Sequence, residues 1–266
     1  TMASAQIMLN SASDQHPDGL SNRSGALGRY IMDHGMIGHM GVFVDKTDRY
    51  FKGHRPNGLY LPRFRNNGDQ DADADFVRGF GYQAHVIRPD WQTTFNSKGF
   101  GADYKNALVK PGPFWIWALG SFLECLPYET NRMTLHASRR DRFGIPLINA
   151  EFQWGENELK LAEDTGRQAE KIYRAAGALG YTIADTGQLS KGGEGIHEMG
   201  SARMGDDPAQ AVLNKYNQAH EIDNMIVTDG SFMTSAACVN PSLTYIAFTA
   251  RACDYAVQQL AAGRLG

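Results

Sequence analysis

The segment from Gly192 to Ala261 restricts the fold more than any other part of the chain. It opens with glycine at positions 192, 193, 195, 200 and 205, and His197 stands among them. So many glycines disfavour a regular helix or strand, because glycine loses the most backbone freedom on folding. Such segments form loops, and loops hold functional groups more often than the elements they join. We therefore expect a loop that presents His197 to a site.

A helix is predicted after this loop, with Asn240 and Pro241 at its start. Asparagine is a strong N-cap, and proline is favoured at the first helical position. The spacing of the apolar residues that follow gives the helix one apolar stripe. That stripe consists of Leu243, Ile246, Ala247, Ala250, Val257 and Leu260. The N-terminus of this helix would offer N–H groups and a partial positive charge to a ligand in front of it.

A short apolar strand is predicted between the loop and the helix, over Met225 to Asp229. It ends in an acidic residue and Gly230, and strands of this kind end over a nucleotide in parallel sheets. The sequence thus predicts three neighbouring features in this segment: a histidine loop, a strand that ends in Asp229, and a helix start.

The composition excludes several classes of function. The chain of 266 residues is 42% hydrophobic and 21% charged, which is ordinary for one large or two modest globular domains. A net charge of -3 gives no electrostatic footprint for nucleic acid or anionic lipid. Three widely spaced cysteines fit neither a zinc site nor a disulfide framework, so no metal is expected. No apolar run reaches the roughly 18 residues of a membrane span.

The N-terminal residues, from Thr1 to Asn10, read as the last turns of a helix that is already under way. They contain no basic region, apolar core or cleavage site, so they do not resemble a signal peptide. We expect a chain that starts inside a domain of a soluble protein, and the choice between cytoplasm and periplasm stays open.

The middle of the chain favours an antiparallel sheet flanked by helices. Short β-like segments recur around Val42, Leu59 and Phe80, each closed by turn residues, and Glu156 to Gly180 has the spacing of an amphipathic helix. The pattern Gly79 to Ala84 superficially matches a dinucleotide fingerprint. We reject that interpretation, because the chain continues as a strand where the fingerprint requires a helix.

Two polar residues of this middle part are candidate substrate contacts. Glu124 is enclosed by apolar neighbours and could point into a cavity, although a structural glutamate at a sheet edge is the alternative. Gln83 lies on one of the predicted strands.

Three stretches together resemble the glucose–methanol–choline (GMC) oxidoreductases. The first runs from His197 through Gly205 to Pro208, the second is Ile226 to Ser231, and the third is Asn240-Pro-Ser-Leu-Thr244 with the helix after it. The segments from Ser4 to Asn10 and from Leu27 to His34 are also similar to the middle of that family's sequences.

The resemblance implies an FAD-dependent enzyme in which His197 is the catalytic base and hydride passes from the substrate carbon to flavin N5. Asn240, 43 residues later, matches the second member of the family's catalytic pair. An imidazole with a pKa near 6.5 can accept a proton, and an amide can hold the substrate oxygen without competing for it. Asp229 and Gly230 would lie by the ribityl-pyrophosphate, and Asn240, Pro241 and Ser242 by the flavin ring.

The resemblance also implies a fold of mixed α+β and α/β class. Residues 1–38 and 190–266 would be parts of the FAD-binding domain, without its dinucleotide-binding half, and residues 39–189 would be a substrate-binding domain with an antiparallel sheet. The missing half would come from a preceding N-terminal part or from a complementary chain.

A His/Asn pair resembles enzymes that oxidise a pyranose ring hydroxyl at C2 or C3, including pyranose 2-oxidase-like and glycoside 3-oxidising enzymes. The expected partners are therefore a small sugar or alcohol and an electron acceptor, either oxygen or a redox partner. Two alternatives stay open: oxidation of a non-sugar alcohol such as choline or an aryl alcohol, and a non-catalytic carbohydrate-binding or structural subunit.

Overall fold

A computed structural model of the protein describes residues 1–44, 58–68, 74–87, 99–109 and 114–265. In chain order its helices and strands are α1 (Met2–Asn10), β1 (Gly35–Val44), β2 (Gly58–Leu61), β3 (Phe80–Ile87), α2 (Gly101–Val109), β4 (Phe114–Leu123), β5 (Arg132–Arg140), β6 (Pro146–Glu151), α3 (Glu156–Ala175), β7 (Gly180–Thr182) and α4 (Ser242–Ala261). No helix in these ranges is both long and apolar enough to cross a membrane.

The chain forms two compact units. The terminal unit contains Thr1–Gly35, Glu124–Glu158 and Ser190–Gly266, and the sheet unit contains Met36–Leu123 and Leu159–Leu189. Residues 124–158, which the sequence-based division places with 39–189, thus belong to the terminal unit. The assignment of flavin binding and substrate binding to these parts stays a prediction.

The sheet unit is built on a five-stranded sheet with the order β2-β3-β4-β1-β7. Strands β3 and β4 pair antiparallel from Phe80 opposite Leu123 to Ile87 opposite Ile116, and β2 pairs antiparallel with β3. The short β7 adds to β1 in the antiparallel sense. The antiparallel sheet predicted for this part of the chain is confirmed.

Helix α3 covers one face of this sheet, as its amphipathic pattern predicts. The Tyr173 ring is fully buried and its hydroxyl donates to the Trp117 carbonyl over 3.0 Å. A Cβ on Gly41 would lie 2.5 Å from the Tyr173 ring, so glycine at this position in β1 permits the close approach. Alternation on β3 then turns Tyr82 towards the helix and leaves Gln83 on the opposite face.

The terminal unit packs α1, the β5–β6 hairpin and α4 around long irregular connections. Its largest core cluster consists of Ala5, Met8, Ala26, Leu27, Ile31, Met133, Ala202, Val212, Leu213, Ala219 and Phe232. The hairpin pairs antiparallel from Arg132 opposite Glu151.

The strand predicted over Met225 to Asp229 is wrong. It is reduced to one isolated bridge between Gln218 and Ile226. The backbone here bonds to the neighbouring loop instead, since the Val227 N–H donates to the Asn217 carbonyl over 2.9 Å. A segment with three consecutive apolar residues does not specify a strand when a loop supplies its hydrogen-bond partners.

Candidate active site

His197 lies opposite His34 because two distant segments form an antiparallel bridge. Met32 and Met199 exchange both backbone hydrogen bonds, at 2.9 and 2.8 Å. In an antiparallel arrangement, two residues beyond Met32 lie across from two residues before Met199. The bridge therefore brings His34 to His197, 163 positions along the chain.

The glycine-rich loop is fixed by one carboxylate, that of Asp33. Its Oδ1 accepts the backbone N–H groups of His34 and His197, at 2.8 and 3.1 Å. Its Oδ2 accepts those of Gly193 and Gly195, at 2.9 and 3.1 Å. Asp33 is only 1% exposed, so these four donors take the place of water around its charge.

Glycine is required at position 195 for this arrangement. A Cβ there would lie 2.5 Å from the His34 carbonyl oxygen and 2.6 Å from Asp33 Oδ1. The predicted loop is thus confirmed as irregular backbone, and its glycines let it wrap closely around Asp33.

Three side chains form a row that leads from the interior of the terminal unit to its surface. His34 is fully buried, and its Nε2 is hydrogen-bonded to the Ala237 carbonyl. Its Nδ1 lies 2.9 Å from His197 Nδ1. His197 Nε2 lies 3.1 Å from Asn240 Nδ2, and Asn240 is exposed. The two predicted catalytic residues, His197 and Asn240, are therefore in contact.

Burial lowers the pKa of His34 below its ordinary value of 6.5. The Ala237 carbonyl and the Asp33 carboxylate raise this pKa and His197 lowers it, but burial is the largest effect. His34 is accordingly neutral at pH 7.

The prediction that Asn240 caps the terminal helix is wrong. Helix α4 begins at Ser242, its N-cap is Pro241, and this cap makes no side-chain hydrogen bond. The Asn240 amide lies one position earlier and contacts His197 instead. Pro241 is buried, whereas Ser242 and Leu243 in the first turn are exposed.

Asp229 and Gly230 have structural partners within the terminal unit. Asp229 caps a short 3-10 turn by accepting the Ser231 N–H over 2.9 Å, and it also accepts the hydroxyls of Ser4 and Ser231. Burial raises the pKa of Asp229, but the hydrogen bonds from Ser231 and Ser4 outweigh it and the net shift is downward. A Cβ on Gly230 would lie 2.4 Å from Tyr245 Oη, so glycine here allows α4 to pack closely.

The two candidate substrate contacts lie in different units. Glu124 directly follows β4 in the terminal unit and is 4% exposed. Gln83 lies on β3 in the sheet unit, where it lines a cavity of about 540 Å³ together with Met36, His85 and Gln188. Their role towards a substrate stays a prediction.

Sequence reasoning gave Asp33 and His34 no role. The only local signal is a pair of titratable residues directly after the apolar run Tyr30-Ile-Met32. Such a pair becomes informative once the bridge between Met32 and Met199 places it beside the histidine loop.

Residues 127–249 match the protein family described as GMC oxidoreductase. This stretch matches the C-terminal domain of GMC oxidoreductases and is called the GMC domain here. The GMC domain contains His197 and Asn240, so both members of the contact pair lie inside the matched region.

Curated relatives extend the similarity beyond the GMC domain. The chain is 34% identical over 260 residues to 2-methyl-1,2-propanediol dehydrogenase from Mycolicibacterium austroafricanum, covering 94% of the chain and 45% of the relative. It is 28% identical to 6'''-hydroxyparomomycin C oxidase from Streptomyces lividus, covering 98% of the chain and 44% of the relative. The chain thus spans less than half the length of these relatives.

Among solved structures, formate oxidase matches with a TM-score of 0.54 at 14% identity, over 86% of the chain and 47% of that structure. At this identity the match describes the fold alone. The mixed helix and antiparallel-sheet fold therefore resembles that of formate oxidase.

Proposed function

We propose that this chain is part of an FAD-dependent enzyme that oxidises a CH–OH group, with His197 as the base. The observation that carries the proposal is the 3.1 Å contact between His197 Nε2 and Asn240 Nδ2 at the start of α4. It places a proton acceptor beside an amide donor, the two groups that a hydroxyl needs when it loses its proton.

The residues at the start of α4 fit the flavin of FAD. Helix α4 has no side-chain cap, and its exposed first turn offers backbone N–H groups and the positive end of the helix dipole. These groups suit a ring edge that gains negative charge. Asn240, Pro241 and Ser242 would hold this edge, while Asp229 and Gly230 would support it by fixing the 3-10 turn and the packing of Tyr245.

FAD, when bound, supplies the acceptor for the hydride that leaves the substrate carbon. His197 takes the hydroxyl proton at Nε2, and Asn240 donates its amide N–H to the substrate oxygen. The alcohol loses one proton and one hydride and becomes a carbonyl compound. Asp33 holds the backbone of His197, so the imidazole is in place before the substrate arrives.

For the substrate we propose a secondary hydroxyl at C2 or C3 of a sugar or glycoside ring. The His/Asn pair supports this position. The name of 6'''-hydroxyparomomycin C oxidase among the relatives supports a sugar-containing substrate, although a 6'''-hydroxyl is an exocyclic primary alcohol and not a ring hydroxyl. The cavity that contains Gln83 offers polar groups on the sheet unit.

Oxidation of a small non-sugar alcohol is the second candidate. It is favoured by the relative with 34% identity, which is named as a dehydrogenase of a branched diol. Flavin bleaching under anaerobic conditions, with a panel of pyranoses, glycosides and vicinal diols, would separate the two. If only the non-sugar diols reduce the flavin, the substrate is not a sugar.

The base assignment is tested by His197→Ala in the full-length enzyme. A general base contributes about 10²- to 10⁴-fold, so we expect substrate-dependent flavin reduction to slow by at least ~100-fold while flavin stays bound. His136→Ala, on the β5–β6 hairpin, is the matched control and should reduce at the wild-type rate. Unchanged reduction in His197→Ala would remove His197 from the mechanism.

We also propose that another part of the full protein, or a complementary chain, covers α4. Within the described residues, α4 leaves a regular apolar row exposed, and Leu243 at its start is 78% exposed. The row consists of Leu243, Ile246, Ala250, Cys253, Val257 and Leu260. A contiguous apolar face of this kind marks an interaction surface. A dinucleotide-binding half that completes the FAD site is the partner we expect there.

A further inference from the structure

The row of side chains behind Asn240 has one fixed end, the carbonyl oxygen of Ala237. A carbonyl oxygen can only accept a hydrogen bond, so the His34 nitrogen that contacts it, Nε2, must carry a proton. The tautomer of His34 is therefore set by a backbone group rather than by another titratable side chain.

The neutral state of His34 determines the direction of its hydrogen bond with His197. Burial lowers the pKa of His34, so with Nε2 protonated its Nδ1 has a lone pair and accepts. The atom 2.9 Å away is His197 Nδ1, which must then carry the proton in this hydrogen bond. A neutral His197 with a proton on Nδ1 has its lone pair on Nε2.

The contact at the outer end of the row agrees with a lone pair on His197 Nε2. Asn240 Nδ2, a donor, lies 3.1 Å from His197 Nε2. The three contacts described between Ala237 and Asn240 thus each pair one donor with one acceptor. The opposite direction would require a proton on both nitrogens of the buried His34, which desolvation disfavours.

We infer that His34 is a positioning residue that holds His197 in the Nδ1–H tautomer and makes Nε2 the atom that receives the substrate proton. This inference rests on the proposed role of His197 as the base. His34 is fully buried behind His197. It acts through the ring of His197, as the group behind a catalytic imidazole selects the nitrogen that is free to react.

The same contact helps His197 after it has taken the proton. The imidazolium keeps donating its Nδ1–H to His34, so the ring need not turn during the reaction. Asp33 is the charged group in direct contact with the backbones of both histidines. The titratable side chains that interact with Asp33 include Cys125 and Tyr245, and Tyr245 also interacts with Glu198.

The test compares His34→Leu with His34→Asn in the full-length, flavin-loaded enzyme. Leucine removes the acceptor at nearly constant volume, whereas the Oδ1 atom of asparagine can reach the position of histidine Nδ1 and accept the same N–H. For His34→Leu we expect flavin reduction to slow by about 10- to 100-fold, the usual worth of one hydrogen bond to a charged group, with little change in substrate affinity. His34→Asn should recover most of the rate.

The pH dependence of flavin reduction separates this role from a purely structural one, because loss of a structural contact alone would not change it. Loss of the acceptor removes a bond that favours the imidazolium, so the pKa that controls reduction should fall in His34→Leu and return towards the wild-type value in His34→Asn. Equal loss of rate in both variants, with an unchanged pH profile, would overturn the inference.

A measurement on the wild-type protein keeps the inference testable if His34→Leu does not fold. Nitrogen NMR shifts of the histidine rings, with His197 assigned by its absence in His197→Gln, should show a protonated Nδ1 and an unprotonated Nε2 at neutral pH. A protonated Nε2 on neutral His197 would overturn the inference. If His197→Ala is inactive while His34→Leu has wild-type activity, the role of His34 is wrong but the role of His197 as the base stands. If His197→Ala is fully active, the role of His197 as the base is wrong.

Discussion

The Asp33 carboxylate accepts the backbone N–H of His197 over 3.1 Å, across 164 positions of the chain. Asp33 is buried, and the same carboxylate also accepts the N–H groups of Gly193 and Gly195. A single acidic side chain from the first forty residues thus gives the histidine loop its shape.

Replacing Asp33 with asparagine should loosen that loop. The amide has one acceptor oxygen, so the backbone donors on the Oδ2 side lose their partner, and an orphaned buried donor costs about 1–3 kcal/mol. We expect Asp33→Asn to lower the free energy of unfolding by about 2–5 kcal/mol in urea titrations of the full-length protein. The exposed Asp14→Asn is the control and should change it by less than about 0.5 kcal/mol.

A buried ion pair should dominate the electrostatic stability of the sheet unit. Arg65 Nε lies 2.6 Å from Asp164 Oδ2, and Asp164 is fully buried. Arg65→Met removes the buried counter-ion of this carboxylate and leaves the half-exposed Arg167, whose Nε lies 3.1 Å from Asp164 Oδ1. We therefore expect a loss of about 3 kcal/mol in the free energy of unfolding, the low end for a broken buried pair. The pair of Arg174 with Glu170 is exposed, so Arg174→Met should leave the free energy of unfolding nearly unchanged. Equal losses in the two variants would contradict this account.

The protein should lose stability as the pH falls from about 6.5 to 4, partly through His39. Burial lowers the pKa of His39 to about 4. Its Nδ1 accepts the Ala184 N–H over 3.2 Å, and its Nε2 lies 3.1 Å from Thr165 Oγ1. Between pH 6.5 and 4, His39 binds a proton in the unfolded protein but not in the folded protein. The contribution of His39 to the free energy of unfolding, which is fully present above pH 6.5, is therefore lost as the pH falls towards 4.

In that window His39 should contribute a slope of about 1.4 kcal/mol per pH unit. The measurement is urea unfolding at several pH values, because His34 has a shift of the same sign and only a comparison isolates His39. His39→Gln should reduce the slope, whereas His136→Gln should not. An identical slope in wild type and His39→Gln would show that His39 does not titrate in this range.

The exposed row on α4 should behave as buried surface in the complete protein. Val257 is 66% exposed here, and its neighbour Gln258 is exposed as well. If another part of the protein covers the row, Val257→Lys would bury a charge and should lower the free energy of unfolding by about 2–3 kcal/mol and weaken flavin retention. Gln258→Lys is the matched control and should change neither. Identical behaviour of the two lysine variants would argue that the row stays in water.

The local patterns that were predicted correctly share one property: the residues that determine each pattern lie close together in the sequence. The spacing on α3 and the alternation around Phe80 each state which side chains lie on one face. The glycines around His197 exclude regular structure in the same local way. Such features need no knowledge of distant neighbours.

The errors arise where a distant partner competes with a local preference. Asn240 has the chemistry of an N-cap, but its amide is directed to His197, so α4 begins after Pro241. Met225 to Asp229 has the composition of a strand, but a neighbouring loop takes its backbone bonds. The exposed apolar row on α4 was correctly spaced, yet spacing does not tell which surface covers it.

The sequence by itself determined the family resemblance, the histidine loop, the antiparallel sheet and the pair of His197 and Asn240. Only the tertiary structure decided that Asp33 shapes the loop and that His34 lies behind His197. These contacts depend on the bridge between Met32 and Met199, whose hydrogen bonds join backbone groups. Backbone groups are alike in every residue, so no side-chain pattern in the sequence specifies which distant segments they join.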